Sequence, residues 1–599
     1  MDPDRYLEAI LNLPEIFRPI VSRDGRWVAW TWFQKHPSAE VYAVPTDGSR
    51  TPVRLTHSDE DSYLVSWSPG GEAVLVAQDA GGNERYQLFR VDLDTPGVML
   101  ALTAPAPNYF LRGGQLHPNM RWLIFGANYD FERGQETELT SVFRRDLESG
   151  QTVILAQPQR PCYHSISLNQ AGTHILYNRK DRDPAGQQIW MVDIEGEEDR
   201  EILNFGERIK TSASWFPDGE RVLVIAEADS HRRLGIWSRT NGETHWLLDD
   251  VSRNIERAWV PPNCDTIVVQ AVQQARTRVS LIDSHSGRER TLPDSHLTRI
   301  PLAPSGVNEW LALIFSSQQP DDLVGMDLMD PQPTAGASLT RIWEHTPLRP
   351  DDLVPAEVFH WKGRDNLAIQ GWLYRASGEA LGTIIDVHGG PSYHRQDRID
   401  SQIQFLLSRG FNVLDPHYRG STGFGLPFKE AIKTHGWGAE EQEDIRAGIL
   451  ALIEAGIAEP GRVGITGVSY GGYSAWCAAT RYPPEQIAAA APVCGMTDLI
   501  VDYETTRPDL RPLSEEMIGG SPEEIPERYR DRSPIHFVNQ IQARLLIVQG
   551  MRDPNVTPAN VRDVRAALDS AGVCYDLLAF EDEGHGILKP HNLRLLYTR

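Results

Sequence analysis

A turn followed by an alternating apolar strand recurs through the first half of the chain, and this recurrence restricts the fold more than any other feature. The turn residues stand at 25, 71, 120, 172, 219, 263 and 306, spaced by 43 to 52 residues. A period of that length belongs to propeller blades or to helical solenoids. The contents of each period decide between the two. Trp27-Val28-Ala29-Trp30, Val74-Leu75-Val76, Gln188-Ile189-Trp190-Met191-Val192-Asp193 and Val222-Leu223-Val224-Ile225 are β-branched and aromatic runs broken by Gly, Asp and Pro. Helical repeats would instead carry long Leu and Ala runs at a period of about 3.6 residues. Each repeat closes on a strand and polar turn such as Val91-Asp92-Leu93-Asp94, and seven such units closed into a ring protect their sheet edges. The reading is a seven-bladed β-propeller over residues 20–350, its last two repeats the faintest. Residues 1–19 form an N-terminal extension with a helical stretch at 4–11 that packs on the second domain or at the junction. Pro331, Pro333, Pro347 and Pro350 mark the exit from the ring.

The second half, residues 351–599, reads as an α/β-hydrolase domain. Its centre is Gly467-Val468-Ser469-Tyr470-Gly471-Gly472, between the apolar run 462–466 and a helix-compatible run 473–479. A serine at a sharp strand-to-helix turn is a nucleophile elbow, and the flanking glycines leave room where strand and helix nearly touch. On such a fold the acid and the histidine follow the serine, each after a later strand. Asp553 follows the apolar strand 544–549, and His585, between Gly584 and Gly586, follows the strand 575–580. The set Ser469, Asp553 and His585 thus stands in the required order. Upstream, the strand 383–387 runs into His388-Gly389-Gly390-Pro391. An unobstructed N–H there, with Gly390 preferred, pairs with the N–H of Tyr470 as an oxyanion hole. His388 precedes the nucleophile and is assigned to bracing that loop.

These motifs, together with His417-Tyr418-Arg419-Gly420-Ser421-Thr422-Gly423-Phe424-Gly425 and with Trp437-Gly438 ahead of Asp444, resemble the prolyl oligopeptidase family of serine peptidases, in its acylaminoacyl peptidase and bacterial aminopeptidase branch. The resemblance implies a propeller lid over an interior chamber that admits short peptide substrates, and cleavage near the substrate's N-terminus. It also implies that acidic side chains hold an α-ammonium group, with Glu227 and Asp229 as candidates. Acylaminoacyl peptidases commonly carry an Arg two residues after the triad Asp; this chain has Asn555 there, which weakens the acyl-peptide assignment. An esterase acting on small acyl esters is the alternative that the same triad would serve. The chain ends soon after His585, where His591–Tyr597 reads as the first turns of a C-terminal helix.

A formal charge of −24 leaves no basic stripe for a nucleic-acid backbone. No apolar run is long enough to span a membrane, and Met1-Asp2-Pro3-Asp4 lacks the segments of a signal peptide. Five cysteines without metal spacing fit reduced thiols in a cytoplasm. No metal and no cofactor are expected, and association into a homo-oligomer is left open. Because His585 acts as a base only when neutral, activity should rise through about pH 6.5 to 7.

Overall fold

A computed structural model describes residues 2–306, 308–331 and 336–599; Met1 and Pro333 lie outside them. The first half is a seven-bladed β-propeller. Among the described residues six blades have four strands, beginning with Glu15–Val21, Trp27–Phe33, Glu40–Pro45 and Val53–Arg54, and the seventh has three, Thr298–Pro304, Glu309–Ser316 and Gln319–Asp327. Six of the seven turn residues read from the sequence, Gly25, Gly71, Met120, Gly172, Gly219 and Asn263, have φ between 57° and 77°. That left-handed conformation is open mainly to Gly and Asn, which is why the turns stand out in the sequence.

Neighbouring blades are tied by side chains. Trp67 Nε1 donates to Ile20 O of the preceding blade at 2.8 Å, and Trp215 Nε1 to Ser167 O at 2.9 Å. The first and last blades share no strand. They meet through Ile16, Trp30 and Trp32 packed on Leu311, Leu313 and Phe315. Arg398 of the hydrolase spans that seam, donating to Asp321 in the seventh blade (Nε to Oδ1, 2.9 Å) and to Ile16 O in the first (3.3 Å).

The first blade starts earlier than the sequence reading placed it. Glu15–Val21 is its innermost strand, inside the stretch assigned to the extension. Pro19 and the left-handed Arg18 (φ 52°) interrupt its pairing at a bulge, and prolines mask a strand in sequence. Helix Pro3–Leu11 lies on the hydrolase, with Leu7 and Leu11 against Phe405 and Leu593, and Tyr6 and Ile10 against Leu348 and Leu353.

The hydrolase sheet has eight strands: β1 (Glu357–Lys362), β2 (Ala368–Tyr374), β3 (Gly382–Val387), β4 (Phe411–His417), β5 (Val463–Val468), β6 (Ala489–Val493), β7 (Arg544–Gly550) and β8 (Asp576–Phe580). Their order is β1-β2-β4-β3-β5-β6-β7-β8, antiparallel at the first two pairings and parallel from β4 onward. The strand runs after β3, β5, β7 and β8 therefore end at one edge, where catalytic loops of such sheets collect. That edge faces the propeller. Arg112 donates to Asp509 Oδ2 at 2.7 Å, with side chains only 3% and 5% exposed, and Glu516 is enclosed by Lys210 and Lys433. Among the described residues, no helix is long and apolar enough to cross a membrane.

Candidate active site

Ser469 sits between β5 and helix Tyr470–Arg481 with φ 61° and ψ −117°, a strained backbone for a residue with a Cβ. Its N–H donates to Val493 O at 3.0 Å and its carbonyl accepts from Tyr473 N at 2.9 Å, so both neighbouring elements hold the turn. The flanking glycines are required by space. A Cβ on Gly467 would stand 2.3 Å from Val387 O, and one on Gly471 1.9 Å from the same oxygen. Helix Tyr470–Arg481 is braced from below by Tyr470, whose hydroxyl donates to the buried Glu441 at 2.8 Å.

Asp553 follows β7 and His585 follows β8, and His585 Nδ1 lies 2.8 Å from Asp553 Oδ2. The other carboxylate oxygen accepts two backbone N–H bonds, from Asn555 at 2.8 Å and Val556 at 3.0 Å, so the Asp553 side chain, fully shielded from solvent, is fixed in rotation. Ser469, His585 and Gly390 line one cleft of about 200 Å³ with Trp437, Met496, Asp502 and Asn555. Ser469 Oγ makes no hydrogen bond among the described residues and is free for an incoming group. Gly390 is left-handed (φ 124°), and a Cβ on Gly389 would lie 3.5 Å from Ser469 Cβ, so this loop presses directly on the serine. His388 points away from the cleft, with Nε2 2.9 Å from Ser421 Oγ and its ring stacked on Tyr418.

Burial disfavours the charged imidazole of His585, but the Asp553 carboxylate and its hydrogen bond, aided by Glu84, outweigh that and hold its pKa above the ordinary histidine value. The onset of base catalysis accordingly lies higher than the unperturbed histidine predicts. Asp502 is pushed up to about 7 by burial and by the nearby Asp553 charge.

Two acidic candidates lie elsewhere. Glu227 is buried and accepts from Lys429 Nζ at 3.1 Å and Lys210 N at 3.2 Å, which consumes its charge at the domain junction. Asp229 is exposed in the bend that follows strand Arg221–Glu227. Neither lines the cleft. Glu84, between the second and third strands of the second blade, is a propeller carboxylate that does not line the cleft itself but bonds two residues that do, Asn555 and Arg507. It accepts from Asn555 Nδ2 at 2.7 Å and from Arg507. Gly82 makes this approach feasible, since a Cβ there would meet Gly584 N at 2.6 Å. Glycine pairs ahead of an acidic residue, Gly81-Gly82-Asn83-Glu84, are the one trace of this contact in the sequence. Among the described residues, no group of three or more His, Cys, Asp or Glu side chains is placed to hold a metal.

A hydroxyl after β5, a shielded carboxylate after β7 and an imidazole after β8, at one edge of a largely parallel sheet under a propeller, define a lidded serine hydrolase. Residues 397–599 match the family model for the prolyl oligopeptidase family. The chain is 23% identical to dipeptidyl aminopeptidase BIII of Pseudoxanthomonas mexicana, over 98% of this chain and 86% of that protein. Among solved structures it superposes on a Mycobacterium tuberculosis puromycin-hydrolyzing peptidase (TM-score 0.80, 19% identity, 99% and 94% of the two chains). It likewise superposes on the Pyrococcus horikoshii acylaminoacyl peptidase (TM-score 0.73, 20% identity, 99% and 95%). The chain carries a prolyl oligopeptidase family domain and is a serine-type peptidase.

Proposed function

We propose that this peptidase removes short N-terminal fragments from oligopeptides that carry a free α-amino group, with Ser469 as nucleophile, His585 as general base and Asp553 as its orienting partner. The observation that carries the free-terminus reading is Glu84, a propeller carboxylate hydrogen-bonded to Asn555 two residues beyond Asp553. Glu84 already pairs with Arg507, so an α-ammonium would share this carboxylate with that guanidinium, and an acylated terminus lacks the charge to do so. The name of the Pseudoxanthomonas relative, a dipeptidyl aminopeptidase, supports the same direction.

In the reaction, Ser469 Oγ attacks the scissile carbonyl carbon while His585 Nε2 takes the hydroxyl proton. Asp553 keeps the Nδ1–H tautomer and stabilises the imidazolium. The N–H groups of Tyr470 and Gly390 receive the oxyanion, each donor contributing about 3 to 4 kcal/mol in the transition state. The imidazolium then gives its proton to the leaving amine, and water deacylates Ser469 by the same route in reverse. The lid is taken from the first blade strand at Glu15 to residue 350, and the catalytic domain as 351–599.

The test is mass spectrometry of products from matched peptides with free and acetylated N-termini. Cleavage confined to the free series, and a fall of about 10⁴-fold or more in kcat/KM for Ser469→Ala, are expected. Equal cleavage of the acetylated series would remove the Glu84 argument, and an active Ser469→Ala would remove the nucleophile.

A further inference from the structure

The cleft that holds Ser469, Gly390 and His585 is walled by apolar groups, Trp437, Met496, Leu513 and Val556, and contains one carboxyl group that the reaction above does not use, that of Asp502. Asp502 lies on helix Leu499–Thr505 and is 6% exposed. Its one side-chain hydrogen bond is from Asn560 Nδ2 to Oδ1, a long one at 3.3 Å. Among the described residues no Lys, Arg or His forms an ion pair with it, whereas the comparably buried Asp509, Asp553 and Glu516 each have a cationic or imidazole partner. Buried carboxylates are ordinarily paired, because an unpaired one is costly to desolvate. An unpaired acid in an apolar cleft beside the nucleophile is a vacancy for a cation.

We propose that Asp502 selects substrates with a basic residue, Lys or Arg, on the acyl side of the scissile bond. This rests on the assignment of Ser469 as nucleophile. The aliphatic stem of such a side chain lies along the apolar walls, and its ammonium or guanidinium group pairs with the Asp502 carboxylate. The titratable groups facing Asp502 are Asp553 and His585 from the triad loops, Asp498 at the start of its own helix and the Tyr529 hydroxyl, beside the Asn560 amide; Arg507, which lines the same cleft, is held in ion pairs by Asp509 and Glu84. His585 and Arg507, the groups there that can carry positive charge, are each already paired with another carboxylate, which leaves the Asp502 carboxyl for a proton or a further cation. A basic side chain therefore competes with a proton for the same carboxylate, and preference for it strengthens as that proton is lost around neutral pH.

The experiment compares kcat/KM for two dipeptidyl aminomethylcoumarin substrates with free N-termini, one with Lys and one with the near-isosteric norleucine next to the scissile bond. For the full chain at pH 8, Lys is expected to be preferred by about tenfold or more, with the ratio falling towards pH 6. Asp502→Asn should lower the ratio at pH 8 at least tenfold. Equal rates on the two substrates in the unaltered protein, or a ratio that neither pH nor Asp502→Asn changes, would overturn the proposal. Because the unaltered protein alone supplies the first measurement, a poorly folding variant does not shelter the idea. Failure of the nucleophile assignment is seen separately, as turnover of either substrate by Ser469→Ala.

Discussion

Replacing Asp553 by Asn tests how the carboxylate controls its histidine. In the structure one oxygen of Asp553 accepts two backbone N–H groups, from Asn555 and Val556, and the other faces His585 Nδ1 at 2.8 Å. In Asp553→Asn the amide oxygen must stay with the two backbone donors, because an NH₂ there would meet two further N–H groups. The NH₂ is then turned towards His585 Nδ1, which becomes the acceptor, and the ring proton moves to Nε2, the atom that should receive the serine proton. The wrong tautomer lowers kcat by about 10⁴, which at about 1.36 kcal/mol per decade is close to 5.5 kcal/mol of lost transition-state stabilisation. The geometry of the fold is conserved, so KM should change little. The assay is steady-state hydrolysis of a dipeptidyl aminomethylcoumarin, with the far-UV spectrum and Tm as controls for folding. A kcat within tenfold of the unaltered protein, in a folded variant, would refute the locked-rotamer argument.

Two further outcomes follow from charges in the site. The acid limb of kcat/KM should inflect above pH 6.5, since His585 is raised and only its neutral form is a base, and Glu84→Gln should move that limb downward by removing one of the charges that raise it. By the same shift, the stabilisation from His585 ionisation is complete below the unfolded histidine value and disappears as pH climbs through the folded one; a limb at or below pH 6 would contradict the assignment. Asp509→Ala should strand the buried Arg112 guanidinium at the domain junction and cost about 3 to 5 kcal/mol, read as a lower Tm and faster limited proteolysis between the domains, and an unchanged Tm would show that the pair contributes nothing to docking.

The parts of this molecule that could be read from the sequence are those in which the backbone demands a particular residue. Left-handed turns call for Gly or Asn, so Gly25, Gly71, Gly172, Gly219 and Asn263 revealed the blade period, and even Met120 was placed by its spacing. Gly467 and Gly471 revealed the elbow because no Cβ fits against Val387 O. The seventh turn, at Gly306, lacks the left-handed φ and belongs to a blade of three strands, which explains its faint signal. Glu84 could not be picked out, because a single acidic residue in a blade loop looks like any other until the loop is seen lying on Gly584. Glu227 is a candidate in sequence only because the family resemblance implies an acidic side chain for an α-ammonium, yet its charge is taken by Lys429. Which carboxylates are spent on ion pairs and which stay available depends on partners hundreds of residues away, and local pattern carries no record of that.

The bridging position of Arg398 bears on how the protein assembles. The two ends of the ring are held together by apolar contacts, which are non-directional, by one direct hydrogen bond from Ile16 N–H to Asp321 Oδ2 at 3.1 Å, and by a guanidinium of the other domain that clamps the same two residues. Ring closure and docking of the lid are thereby coupled: a propeller made alone would keep the Ile16–Asp321 bond but lose the guanidinium that clamps both residues, and separating the domains would loosen the circle.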